Sequence, residues 1–148
     1  VLLFLKRKKS SVFYVVSTGH NQHKSVAKNY NLNYSEHAEE NAINRLPPKK
    51  SKKIENVCIL IIRMSKHGKL GMSAPCVHCL KYMKENALEK GYNITDVYYS
   101  NADGEIETYK INYLIISAKL HISSNYIDTK YNIEKWKKWR EKYINVMT

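Results

Sequence analysis

The stretch Glu55-Asn56-Val57-Cys58-Ile59-Leu60-Ile61-Ile62-Arg63-Met64 is the most apolar window of the chain, and its reading decides the architecture. The uninterrupted apolar run from Val57 to Ile62 is too short for a buried helix, so Glu55 to Met64 reads as a central buried strand. On its N-terminal side, Ser35 is placed to cap a helix. Glu36, Glu39 and Glu40 crowd that helix's first turn, where the peptide dipoles favour acids. Ala38, Ala42, Ile43 and Leu46 give it an apolar face, and Pro47-Pro48 ends it ahead of a basic turn, Lys49 to Lys53. On the C-terminal side, Ser65 to Met72 reads as loop. Ser73 is placed to cap a second helix, with Pro75 in its first turn and Leu80, Met83, Ala87 and Leu88 on its apolar face. Gly91 closes that helix, Ile94 to Ser100 is a strand, and Ala102-Asp103-Gly104 turns the chain into a return strand, Glu105 to Ile111.

Working outward to the ends, Val1 to Leu5 and Val12 to Ser17 form a β-hairpin about a polar turn. Thr18 to Tyr34 is polar and reads as a long loop. Tyr113 to Leu120 is apolar without a deciding period. Ile133 to Val146 is a terminal helix with Trp136, Trp139 and Tyr143 at helical spacing. The order β-β-α-β-α-β-β-α predicts one layered α/β domain over residues 1–148, with a mixed central sheet and two helix N-termini converging at one sheet edge.

The composition bounds what this domain can be. With 43% apolar and 26% charged residues among 148, the chain is globular and not disordered. No apolar run approaches the ~18 residues of a membrane helix. Val1 to Leu5 carries its charges after the apolar run, the wrong order for a secretory signal. The 25 basic residues against 13 acidic ones leave a net charge of +12, which suits polyanionic partners. The wealth of Lys, Asn, Ile and Tyr also fits an A- and T-rich coding sequence, so charge alone assigns no function. Three cysteines cannot complete a disulfide framework, so a reducing, intracellular (cytoplasmic) setting is expected.

Two motifs carry chemistry. His37-Ala38-Glu39 stands at the start of the first helix and Pro75-Cys76-Val77-His78-Cys79 at the start of the second. Cys76 and Cys79, three residues apart, share one helical face, and a helix N-terminus favours thiolates. His37, Cys76 and Cys79 supply three protein ligands to a tetrahedral Zn²⁺ and leave one position open, the pattern of a catalytic site. Glu39, two residues past the His, is a carboxylate beside the metal that does not bind it. It can take a proton from an activated water and return it to a leaving group. Such a set suits hydrolysis of an amidine-like carbon with loss of ammonia.

The pairing of His-Ala-Glu with Pro-Cys-x-x-Cys resembles the zinc-dependent cytidine deaminase-like superfamily, whose signature is a His/Cys/Cys zinc site with a Glu acid/base. The resemblance covers roughly Val12 to Ile111. It implies a three-layer α/β/α fold, and a helix before the first strand that this sequence lacks. It implies a cytidine, deoxycytidine or dCMP-type substrate, with Asn21 of Gly19-His20-Asn21 and Ala38 contacting it, and a homo-oligomeric assembly. The Asp103-Gly104 hairpin resembles the branch with an antiparallel last strand pair. A polynucleotide deaminase for single-stranded DNA or RNA, and a zinc module without turnover, are the rival readings.

The remaining residues read more plainly. His78 lies between the two Cys and is expected to face away from them. His20, His23, His67 and His121 are surface residues, and Cys58 is a buried thiol. The aromatic stripe of the terminal helix, interleaved with Lys135, Lys137, Lys138, Arg140 and Lys142, suits packing on the domain better than stacking on nucleic acid.

Overall fold

The computed structural model describes residues 2–6, 12–25, 33–117 and 130–147. Strands β1 (Leu2–Lys6), β2 (Phe13–Thr18), β5 (Glu55–Ile61), β8 (Tyr92–Ser100) and β9 (Ile106–Lys110) form a five-stranded sheet in the order β2-β1-β5-β8-β9. The Glu55 window is its middle strand, as its continuous apolar character requires. β1 pairs antiparallel with both β2 and β5, β5 pairs parallel with β8, and β8 pairs antiparallel with β9. The sheet is mixed, and its first and last pairs are hairpins as the sequence predicts.

These pairings give β2, β5 and β8 a common direction, so all three end at the same edge. Open α/β sheets build their sites at the carboxyl ends of such strands. Helix α1 (Ala38–Asn44) is reached from the end of β2, and helix α2 (Val77–Glu89) from the end of β5. Both therefore start at this edge.

The core lies on one face of the sheet. Val57, Ile59 and Ile61 of β5 stand in register with Ile94, Val97 and Tyr99 of β8. They pack with Ala42 and Ile43 of α1, Leu80, Met83 and Ala87 of α2, Ile111 and Ile115 of α3 (Ile111–Ile116), and Trp139 of α4 (Lys130–Met147). All four helices thus share one core. On the opposite face Phe13, Val15 and Ile106 are exposed. Cys58 is buried, as expected.

Other expectations are corrected in detail. The polar loop Thr18 to Tyr34 contains a further antiparallel pair, β3 (Gln22–Ser25) with β4 (Asn33–Glu36). Neither strand alternates apolar with polar residues, so the period-2 signal was absent. Ser35 therefore sits in β4, and the N-cap of α1 is His37. Ser73 does not cap α2 either. That N-cap is Cys76, whose sulfur accepts from the Cys79 N–H, and Pro75 stands just ahead of the helix. The Glu55 strand ends at Ile61. Arg63–Met64 (β6) instead pairs with Leu70–Gly71 (β7) around a turn where Gly68 has φ 75°. The apolar stretch after β9 is α3, which takes Ile111 from the expected return strand.

Candidate metal centre

Three local devices bring the two helix starts together. The first is Gly19. A Cβ built there would lie 2.2 Å from the Ala38 carbonyl oxygen and 2.4 Å from the Ala42 nitrogen. Only a residue without a side chain lets the chain leaving β2 lie this close to α1. Ser17 secures the same contact, its hydroxyl donating to the Ala42 carbonyl at 2.7 Å. The second is a buried network around Glu36, 2% exposed. Its carboxylate accepts from Asn41 Nδ2 at 3.1 Å and Asn44 Nδ2 at 2.6 Å, tying β4 to α1. The third is Ser73. Its hydroxyl donates to the Ile61 carbonyl at 2.8 Å and accepts from the Ser100 N–H at 2.9 Å. The segment leading into α2 is thereby pinned across the ends of β5 and β8.

The result is the constellation the motifs predict. One nitrogen of His37 and the sulfurs of Cys76 and Cys79 lie within 4.8 Å of one another. His37 Nδ1 stands 3.1 Å from Cys79 Sγ and 3.7 Å from Cys76 Sγ. Nitrogen and sulfur ligands on a tetrahedral zinc, at bond lengths of about 2.0 and 2.3 Å, stand roughly 3.6 Å apart. The three donors thus fit a shared ion with little movement. Both cysteines are buried and neither is in a disulfide, while His37 is partly exposed.

The electrostatics say what the donors lack. A hydrogen bond from Cys79 is the main influence holding the Cys76 thiol down at about 4, with the His37 imidazole adding to it. The same bond, with burial, pushes the Cys79 thiol far up. A divalent cation between the two sulfurs would favour both as thiolates. The contact with Cys76 is the largest influence on His37 and raises its pKa.

Glu39 is 8% exposed and lies in the same corner, within hydrogen-bonding reach of Cys79. Burial is the main cause that raises its carboxyl above the usual range. Asn21 and Ala38, the expected substrate contacts, meet each other: the Ala38 N–H donates to Asn21 Oδ1 at 2.9 Å. The loop that bears Asn21 is thereby fixed beside the metal ligands. His20 is exposed, and its backbone N–H donates to Asn41 Oδ1 at 3.4 Å. His67 is exposed, whereas the side chain of His23 and all of His121 lie outside the described residues.

Sequence reasoning missed the pairing of Glu40 with His78. Glu40 is buried at the third position of α1, and its carboxylate accepts from the His37 N–H at 3.2 Å. Nε2 of His78 meets the other Glu40 oxygen. The legible signal was the spacing of Glu40 three residues after the cap, a capping box with His in place of Ser or Thr.

The terminal helix packs as expected. Trp139 is 5% exposed, donates its Nε1–H to Glu85 of α2 at 2.8 Å and stands edge-on to Tyr143. Lys135, Lys137, Lys138 and Lys142 face solvent, while Arg140 donates to the Ile116 carbonyl. In the basic turn, Lys49 pairs with Glu55 and Lys50, Lys52 and Lys53 are exposed. Among the described residues no helix is long and apolar enough to cross a membrane. No protein-family model, curated protein or solved structure matches the chain.

Proposed function

We propose that this chain is a zinc-dependent hydrolytic deaminase of a cytosine-type base in a nucleoside or nucleotide, built as a cytidine deaminase-like domain. One observation carries the reading. Three metal-ligand atoms converge from two helix starts, and a buried carboxyl that is not among them, Glu39, sits in the same corner. A purely structural metal site has no use for such an acid.

Zinc held by His37, Cys76 and Cys79 would make a water molecule nucleophilic near neutral pH. Glu39 would take one proton from the attacking water as its oxygen bonds to the amino-bearing ring carbon and deliver that proton to the adjacent ring nitrogen. It would then move the remaining hydroxyl proton to the amino group, so that the carbon–nitrogen bond breaks and ammonia leaves a carbonyl behind. Asn21, fixed at the start of α1, keeps its amide hydrogens as donors for a substrate oxygen. Burial of the two sulfurs keeps competing solvent from them. We propose a reducing intracellular setting, consistent with the free thiols, and a homo-oligomeric enzyme.

Zinc-loaded protein should release ammonia from at least one of cytidine, deoxycytidine and dCMP, and Glu39→Ala should abolish the release. Activity surviving that substitution removes Glu39 from the mechanism. The net charge of +12 supports single-stranded DNA or RNA as a second substrate class. Turnover confined to oligonucleotides and falling steeply with added salt would favour it. Stoichiometric zinc without turnover of any of these substrates would leave a zinc module.

A further inference from the structure

The contacts of Glu40 reach both helices that carry the metal ligands. One carboxylate oxygen accepts from the backbone N–H of His37, itself a ligand. The other meets Nε2 of His78, which stands between the ligands Cys76 and Cys79 in the first turn of α2. Glu40 is 1% exposed, so this bridge runs through the interior where α1 and α2 meet. The His78 ring is held from the far side. It lies edge-on to Trp136 of α4 with centroids 5.9 Å apart, and tilted against Tyr82 at 6.3 Å. A groove of about 290 Å³ between α2 and α4 opens onto the same imidazole.

We infer that Glu40 and His78 are positioning residues for the metal centre, a cross-helix pair that sets the separation of His37 from the two cysteine sulfurs. The helices contribute ligands from opposite sides of one point, so sliding one against the other by a fraction of an ångström changes the donor spacing. Neither residue offers an atom to the metal in this arrangement. They act through His37 and through the first turn of α2. Groups just outside a metal's ligands commonly change its affinity by ~10- to 100-fold. The inference rests on the metal reading of His37, Cys76 and Cys79 and is independent of what reaction the site performs.

The test is titration of the metal-free full chain with Co²⁺, read by thiolate-to-cobalt charge-transfer absorption and by the d–d bands of the bound ion. Glu40→Gln and His78→Gln should keep wild-type far-ultraviolet circular dichroism. They should bind Co²⁺ roughly 10- to 100-fold more weakly, with shifted d–d bands. In His78→Gly, added imidazole should enter through the groove and restore the wild-type spectrum. Glu85→Ala is the control. It removes the acceptor of the Trp139 Nε1–H, on the same helix as His78 but about two turns from the ligands, and should lower the melting temperature while leaving the cobalt spectrum unchanged.

If Glu40→Gln does not fold, His78→Gln, at a partly exposed position, carries the test. Wild-type affinity and bands in His78→Gln would overturn the inference. Failure of the wild type to take up Co²⁺ or Zn²⁺ would overturn the metal reading and this inference with it. A metal-binding wild type that deaminates nothing would leave the pair's role standing.

Discussion

Glu39 illustrates how one side chain can be costly for the fold and still suit the proposed chemistry. Its folded pKa is raised because burial disfavours the charged form. A group shifted in this direction supports the fold while protonated, and that support is lost as pH rises through the folded value. Glu39→Gln cannot ionise. In metal-free protein the variant should therefore melt higher than the wild type at about pH 8 and no higher at about pH 4, where the carboxyl is protonated anyway. Thermal scans at the two pH values check this, and ammonia release checks that the same change removes turnover. The identities of His37, Glu39, Cys76 and Cys79 were legible because donor chemistry is written in residue type and spacing. The contact between Asn21 and Ala38 was not, because it depends on how closely Gly19 lets two backbones approach.

Among the elements, the helices were legible in existence and ambiguous in their first turns. Hydrophobic period marks the buried face of α2, but it does not say which polar residue caps it. Ser73 qualifies by type and Cys76 does not, yet tertiary contacts make Cys76 the cap. The Ser73 hydroxyl is engaged by the ends of β5 and β8. Ser73→Ala would orphan the Ser100 N–H and should cost about 1–3 kcal/mol, read by urea denaturation. It should also weaken metal uptake, since it frees the segment that seats Cys76. Met83 offers a contrast. It is wholly buried on the core face of α2. Met83→Ala should cost about 2–5 kcal/mol while leaving the ligand spacing, and hence a cobalt spectrum, unchanged. The β3–β4 pair was illegible for a different reason. It is held by backbone pairing between polar strands, which leaves no pattern in the side chains.

In the molecule as a whole, the proposed metal would be coupled to the fold. His37, Cys76 and Cys79 stand at the starts of α1 and α2, so an ion held by them would join parts of the chain separated by the central strand. Metal removal with a chelator should lower the melting temperature, and re-addition of zinc should restore it, because a ligand bound only by the folded state stabilises that state. Loss of activity without a change in melting would separate the two roles. The sheet order followed from the position of the most apolar strand and from the hairpin turns. The packing of all four helices into one core cluster did not, because periodicity reports that a strand is buried without saying what lies on each side.

The parallel pairing of β5 with β8 has a consequence for how the chain is made. During synthesis both thiols leave the ribosome before β8 exists, so Ser73 lacks its Ser100 partner and the segment that seats the sulfurs is held on one side only. A nascent chain in that interval is open to oxidation and to scavenging of the wrong ion. Cell-free translation supplied with zinc and a reductant should therefore yield more folded product than the same metal added after the chain is released.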